Sequence, residues 1–184
     1  MALTKSEAVF LQAACEGELA YIRSHIHKVN PKCSGPMGYT ALMHAAENGH
    51  RETLEFLLPF SDPNARSRYS TTALILAAEE GDMACVNALV AHTNPNLQNK
   101  HGYTALMAAV VFGRMECAME LAKVTDISLQ STLGATAREL ADSFCRVPHF
   151  GPMIENVALA ARESRAIDVH IARVATASSI AIRL

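Results

Sequence analysis

The chain has 184 residues, half of them hydrophobic but only 5% aromatic, with no Trp. Its net charge of −2 and pI near 6.4 give no general attraction for nucleic acid or an acidic membrane surface. A core of Ala, Leu, Val, Ile and Met suits closely packed short helices better than a β-sandwich. The segment Met1 to Glu7 lacks the charged-then-apolar pattern of a secretory signal, and no run approaches the roughly 18 apolar residues of a membrane span. Five cysteines (Cys15, Cys33, Cys85, Cys117 and Cys145) form an odd set without CxxC spacing. Reduced thiols and a cytoplasmic location are expected from them, not a disulfide framework.

An internal repeat organises most of the chain. Gly17, Gly49, Gly81 and Gly113 stand 32 residues apart, and Ala13, Ala45, Ala77, Ala109 and Ala141 keep the same interval. So do Thr40, Thr72, Thr104 and Thr136, and so do Leu57, Leu89 and Leu121. Several unrelated residue types held in phase mark a tandem array.

The elements follow in chain order. The first unit, Ser6 to about Lys32, lacks a Thr-Ala-Leu start and carries His25 where later units have Leu57 and Leu89, as a polar outer cap should. In the second, Thr40 is the expected N-cap of a helix whose Ala41, Leu42, Ala45 and Ala46 recur at helical spacing. Gly49 should end that helix in the left-handed conformation. A second helix, from His50 to about Leu58, places Leu54, Leu57 and Leu58 on one face, and Asp62-Pro63-Asn64 turns the chain. The breaks at Asn30-Pro31, Asn94-Pro95-Asn96 and, more weakly, Asp126-Ile127-Ser128 keep step. The fourth start, from Gly134, puts Arg138 where Leu42 and Leu74 sit and Cys145 at the glycine position, and reads as the far cap. Beyond a loop from Val147, a helix from about Pro152 to Ala175 is predicted, with Pro152 at its first position and a role in capping the last repeat. Its three arginines are nearly offset by acids, unlike a lipid-binding helix.

Gly38-Tyr39-Thr40-Ala41-Leu42-Met43-His44-Ala45-Ala46-Glu47-Asn48-Gly49-His50 resembles the ankyrin repeat, and residues 70 to 81 and 102 to 113 repeat the match, with Ser70 in place of the first glycine. The Thr-Ala-Leu-Met wording is similar to repeats of large protist ankyrin families, whose arrays stand alone or accompany protein kinases; no kinase motif occurs here. Ala41, Ala73 and Ala105 replace that family's Pro, and Met43, Ile75 and Met107 replace its His. The expected fold is an all-α ankyrin-repeat solenoid of about four helix-turn-helix units with an extra C-terminal helix. Its domains are the array, residues 1–156, and a helical capping tail, residues 157–184.

The resemblance implies a protein-binding adaptor or scaffold, monomeric, with another protein as its partner and neither nucleic acid nor membrane. It implies contacts through the loop tips and the exposed face of each first helix. Carried over by position, these are Met37 and Tyr39, then Arg68 and Tyr69, then Lys100, Tyr103, Val111 and Phe112. Pro36, Glu47, Asn48, Thr71, Glu79, Glu80 and His101 fill out the same face. Val111 and Phe112 stand where the preceding units carry Glu47-Asn48 and Glu79-Glu80, so either a partner or the chain's own C-terminal segment should cover them.

The alternative is an enzyme or metal-binding protein with a Cys/His site assembled across repeats. Cys85 and Cys117 share one repeat phase, so stacking would bring them to adjacent units. No HExxH, zinc-finger spacing, nucleophile elbow, GxGxxG or P-loop accompanies them. No catalytic, cofactor-binding or metal-ligating residue is therefore assigned, and no cofactor is expected.

Overall fold

The computed structural model describes residues 3–144 and 149–181, with side chains through residue 169. Helices come in pairs: α1 (Lys5–Glu16) with α2 (Leu19–His25), α3 (Ala41–Glu47) with α4 (Arg51–Leu57), α5 (Ala73–Glu80) with α6 (Met83–Val90), and α7 (Ala105–Val111) with α8 (Met115–Ala122). A 3₁₀ turn, Leu58–Phe60, extends α4. Then α9 (Ala137–Phe144) and the long α10 (Phe150–Ala181) close the array. The first helices α1, α3, α5, α7 and α9 pack in one row and the second helices α2, α4, α6 and α8 in another, with α10 lying on α8 and α9. Among the described residues the only β pairing is a single bridge between Ser34 and Thr40. The all-α repeat solenoid expected from the periodicity is the observed architecture.

Each repeated residue has a physical task. Thr40, Thr72 and Thr104 adopt extended backbone and accept from the amides of Met43, Ile75 and Met107, which would otherwise lack a partner at the helix start. Ala45, Ala77 and Ala109 are fully buried, small enough for neighbouring first helices to approach. Leu57, Leu89 and Leu121 are fully buried at one phase of the second helices. Gly17 and Gly81 do two things at once. Both have left-handed backbone, φ 74° and 80°, and a Cβ on either would sit 2.6 Å from the His50 ring or 2.7 Å from the Arg114 side chain of the following unit.

The turns between units are built alike. Lys32, Asn64, Asn96 and Ser128 each donate a backbone N–H to the side chain of the Asx two residues earlier, all at 3.0 Å. Asn64 and Asn96 then reach into the next unit, accepting from the amides of Asn94 and Asp126 at 2.7 Å. The weaker Asp126-Ile127-Ser128 copy therefore forms the same turn as the Pro-containing ones.

One expectation is revised at the C-terminal end. The last helix begins at Phe150, two residues before Pro152, and runs to Ala181, well past Ala175. Proline in a first turn forfeits only an amide that has no intrahelical partner, so the helix can start ahead of it. The expected domain boundary between residues 156 and 157 falls inside this helix, whose Phe150, Ile154 and Ala158 are buried. Arg162 pairs with Asp126 at 3.3 Å and Arg165 donates to the Lys123 carbonyl, fastening α10 to the end of α8. Cys145 and the loop residues Val147 and Pro148 lie outside the described residues.

Replacing Leu89 with Ala should cost about 2–5 kcal/mol, read by urea denaturation, because its side chain is fully buried between units. Ser70 occupies the phase of Gly38, Gly102 and Gly134 with left-handed backbone, φ 58°, strained for a residue with a Cβ by roughly 1–2 kcal/mol. Ser70→Gly should therefore raise stability by up to about 1 kcal/mol once the greater freedom of unfolded glycine is discounted. A lower midpoint in the glycine variant would contradict this.

Candidate functional site

Each loop ahead of α3, α5, α7 and α9 is a tight turn held by two backbone bonds, the outer of which closes it. Gly35 donates to Tyr39 at 2.9 Å, Ser67 to Thr71 at 2.9 Å, Asn99 to Tyr103 at 3.0 Å and Ser131 to Ala135 at 2.9 Å. Neighbouring tips are also tied together, since Arg68, Lys100 and Thr132 donate to the carbonyls of Met37, Tyr69 and His101 at 2.9, 2.9 and 3.0 Å. With the backbone committed along the row, the side chains at the tips are left to solvent. Met37 is 41% exposed, Tyr69 50% and Leu133 89%. His101 completes this column of exposed tips. The same 32-residue phase marks Leu133, which the expected set omits.

Arg68 and Lys100 are exposed beside the tips, and the Lys100 ammonium lies 5.2 Å from the centre of the Tyr69 ring, within cation–π reach. Tyr39 and Tyr103 are half-buried one step inward, with ring centres 5.5 Å from His44 and 6.2 Å from His101. The residue in phase with Tyr39 and Tyr103 is Thr71, which is buried and not an exposed member of the face. Its backbone carbonyl closes the loop turn and its amide bonds the Ser67 hydroxyl, which draws it in.

The structure brings Met37, Tyr39 and Tyr69 around one open groove of about 340 Å³, together with Pro36, His44 and Glu47. Arg68, Lys100 and Tyr103 are outside its lining. Val111 is half-buried at the end of α7, and Phe112 is 55% exposed. The chain's own α10 packs on α8 and α9, and the Phe112 ring is left open. Phe144, at the same phase one unit on, is 57% exposed and extends the apolar strip. It was legible from the phase, and the expected set lacks it.

The acidic end of the face is not simply solvated. Glu79 is half-buried, and burial together with the carboxylates of Glu80 and Glu47 pushes its pKa up to about 7. Burial and Glu80 also raise Glu47. His44 Nδ1 lies 3.9 Å from Glu47, yet burial lowers the His44 pKa, so at neutral pH the ring is uncharged and the two do not form an ion pair.

Cys85 and Cys117 are buried thiols on successive second helices. Burial pushes Cys85 up to about 12 and raises Cys117, so neither supplies a thiolate at neutral pH. Among the described residues no group of three or more His, Cys, Asp or Glu is placed to hold a metal ion. Among them, too, no helix is long and apolar enough to cross a membrane.

A family model described as "Ankyrin repeats (3 copies)" matches residues 10–98 and again 60–132. No curated protein matches the chain.

Because the folded pKa of Glu79 lies above its ordinary value of 4.5, the folded state holds this proton after the unfolded chain has released it. The resulting stabilisation is full below about pH 4.5 and is lost as pH rises through about 7. Glu79→Gln should remove this part of the pH dependence and melt higher than the parent at pH 8. Equal melting temperatures at pH 8 would mean that Glu79 is well solvated.

Proposed function

This chain belongs to the ankyrin-repeat family, whose repeats are generally protein–protein interaction modules, and we propose that it is an adaptor or scaffold that holds one partner protein. The partner is engaged through the loop tips and the concave face of the first-helix row, by Met37, Tyr39, Arg68, Tyr69, Lys100, Tyr103, Val111 and Phe112, with Phe144 and Leu133 extending the strip. The observation that carries this reading is Phe112. A phenylalanine left 55% exposed, where the two preceding units place Asn48 and Glu80, forgoes much of the roughly 1.5–3 kcal/mol available from full burial. Stacking asks for no apolar residue there, so the benefit is gained in a complex.

The array, residues 1–156, is the binding unit in this proposal, and residues 157–184 are the tail that caps its open end. The buried Ala158 and the ion pair of Arg162 with Asp126 support that role. The module acts without catalysis, as a monomer in the cytoplasm; buried thiols held protonated suit a reducing compartment.

With a partner obtained by affinity capture and titrated by calorimetry, Phe112→Ser should weaken binding at least tenfold while leaving the melting temperature within about a degree of the parent. Unchanged affinity, or a fall in stability in place of affinity, would remove Phe112 as an anchor.

A further inference from the structure

We propose that the groove between Met37 and Tyr69 is the seat of a lysine or arginine side chain carried on an extended segment of the partner. The inference rests on the binding reading above and adds to it the chemistry of what is bound.

The groove has two kinds of wall. Pro36, Met37 and the rings of Tyr39 and Tyr69 supply apolar surface at its mouth and sides, which suits the aliphatic stem of a long basic residue. Glu47 lines the same space, with Glu79 and Glu80 next to it; these carboxylates act on one another, and those of Glu47 and Glu79 also act on the Tyr39 hydroxyl. A cation placed there meets ring faces and carboxylates together.

No side-chain cation among the described residues pairs with the carboxylates of this cluster. Among the described residues neither Glu79 nor Glu80 forms an ion pair, and the single partner of Glu47 is the neutral His44 ring. Two neighbouring cations are turned to other tasks. Lys100 sits on the Tyr69 ring, and Arg114 donates to the Glu79 backbone carbonyl, not to its carboxylate. Half-burying like charges without a counterion is unfavourable, and an incoming ammonium or guanidinium relieves it. An apolar side chain would fill the groove and desolvate the carboxylates further; an acidic one would be repelled.

The strip beyond the groove sets a spacing. Asn48 (next to Glu47 of the groove), Glu80 and Phe112 occupy one phase in three successive units, so Phe112 lies one unit beyond Glu80 and two beyond Glu47. Packed helices lie about 8–10 Å apart, and an extended chain advances about 3.3 Å per residue. A segment with its basic residue in the groove therefore reaches Phe112 with an apolar residue roughly three to six positions away.

A random peptide library displayed on phage, panned against the immobilised full chain, tests this. The most enriched peptide is then labelled with fluorescein and titrated by anisotropy. It should carry Lys or Arg with an apolar residue three to six positions off. Replacing that basic residue by norleucine, or the protein's Glu47 and Glu79 together by Gln, should weaken binding at least tenfold without lowering the melting temperature. A peptide weakened by Phe112→Ser but indifferent to norleucine and to the double variant would overturn the basic-residue proposal and leave the binding face intact. A peptide indifferent to all three changes would overturn both.

Discussion

No unit of this chain can bury its own apolar stripe. The helices that carry Leu54 and Leu57, or Leu74 and Ala77, are seven or eight residues long, too short to be stable alone in water. They persist because the unit on each side covers them, so the core is a ribbon running the length of the array. Everything that repeats serves this contact. Alanine lets the first helices close up, leucine fills the second row, and Gly17 and Gly81 leave space for His50 and Arg114. Where an interior unit needs a cap, threonine supplies it alone, because the position three residues on is taken by Met43, Ile75 or Met107, all buried.

The two ends answer the same constraint differently. At Thr4 and at Thr136 the residue three positions on is a glutamate, Glu7 or Glu139, which accepts from the cap's own backbone N–H at 2.9 and 2.8 Å. Those bonds hold both carboxyls below the usual range. A glutamate is compatible with solvent and would be costly between two units. The end of the array is thus written in one residue type, and α10 closes the remaining flank.

Side chains whose role repeats were readable from their phase, and so the fold, its caps and its leucine core were legible. Roles that depend on a neighbour's backbone were not. Nothing in Asn64 or Asn96 announces that each will hold the amide 30 residues ahead, since that contact exists only once units are stacked. The same limit applies to Glu79: as a letter it reads as a solvated acid, and only its setting beside Glu47 and Glu80 moves its pKa up to about 7. Thr71 misled for a different reason. Its phase with Tyr39 and Tyr103 suggested an exposed member of the face, but its bonds to Ser67 draw it in. The start of α10 was hidden because Pro152 marks a helix start only to within its first turn.

Freedom from the stacking constraint is what gives the face its individuality. At the loop tips the array carries Met37, Tyr69, His101 and Leu133, and at the ends of the first helices Asn48, Glu80, Phe112 and Phe144. None of these residues belongs to the buried core, so their identity can vary without unfolding any unit. They nevertheless form an ordered series. The carboxylates of Glu47, Glu79 and Glu80 lie toward the N-terminal half, and the exposed rings of Phe112 and Phe144 toward the C-terminal half. Because the units are locked in register by backbone bonds between successive tips, this series is held at fixed spacing. A segment lying along the row meets charge at one end and apolar surface at the other. Reversing it would set its cation on phenylalanine and its apolar residue on half-buried carboxylates, so the surface distinguishes one direction of approach from the other.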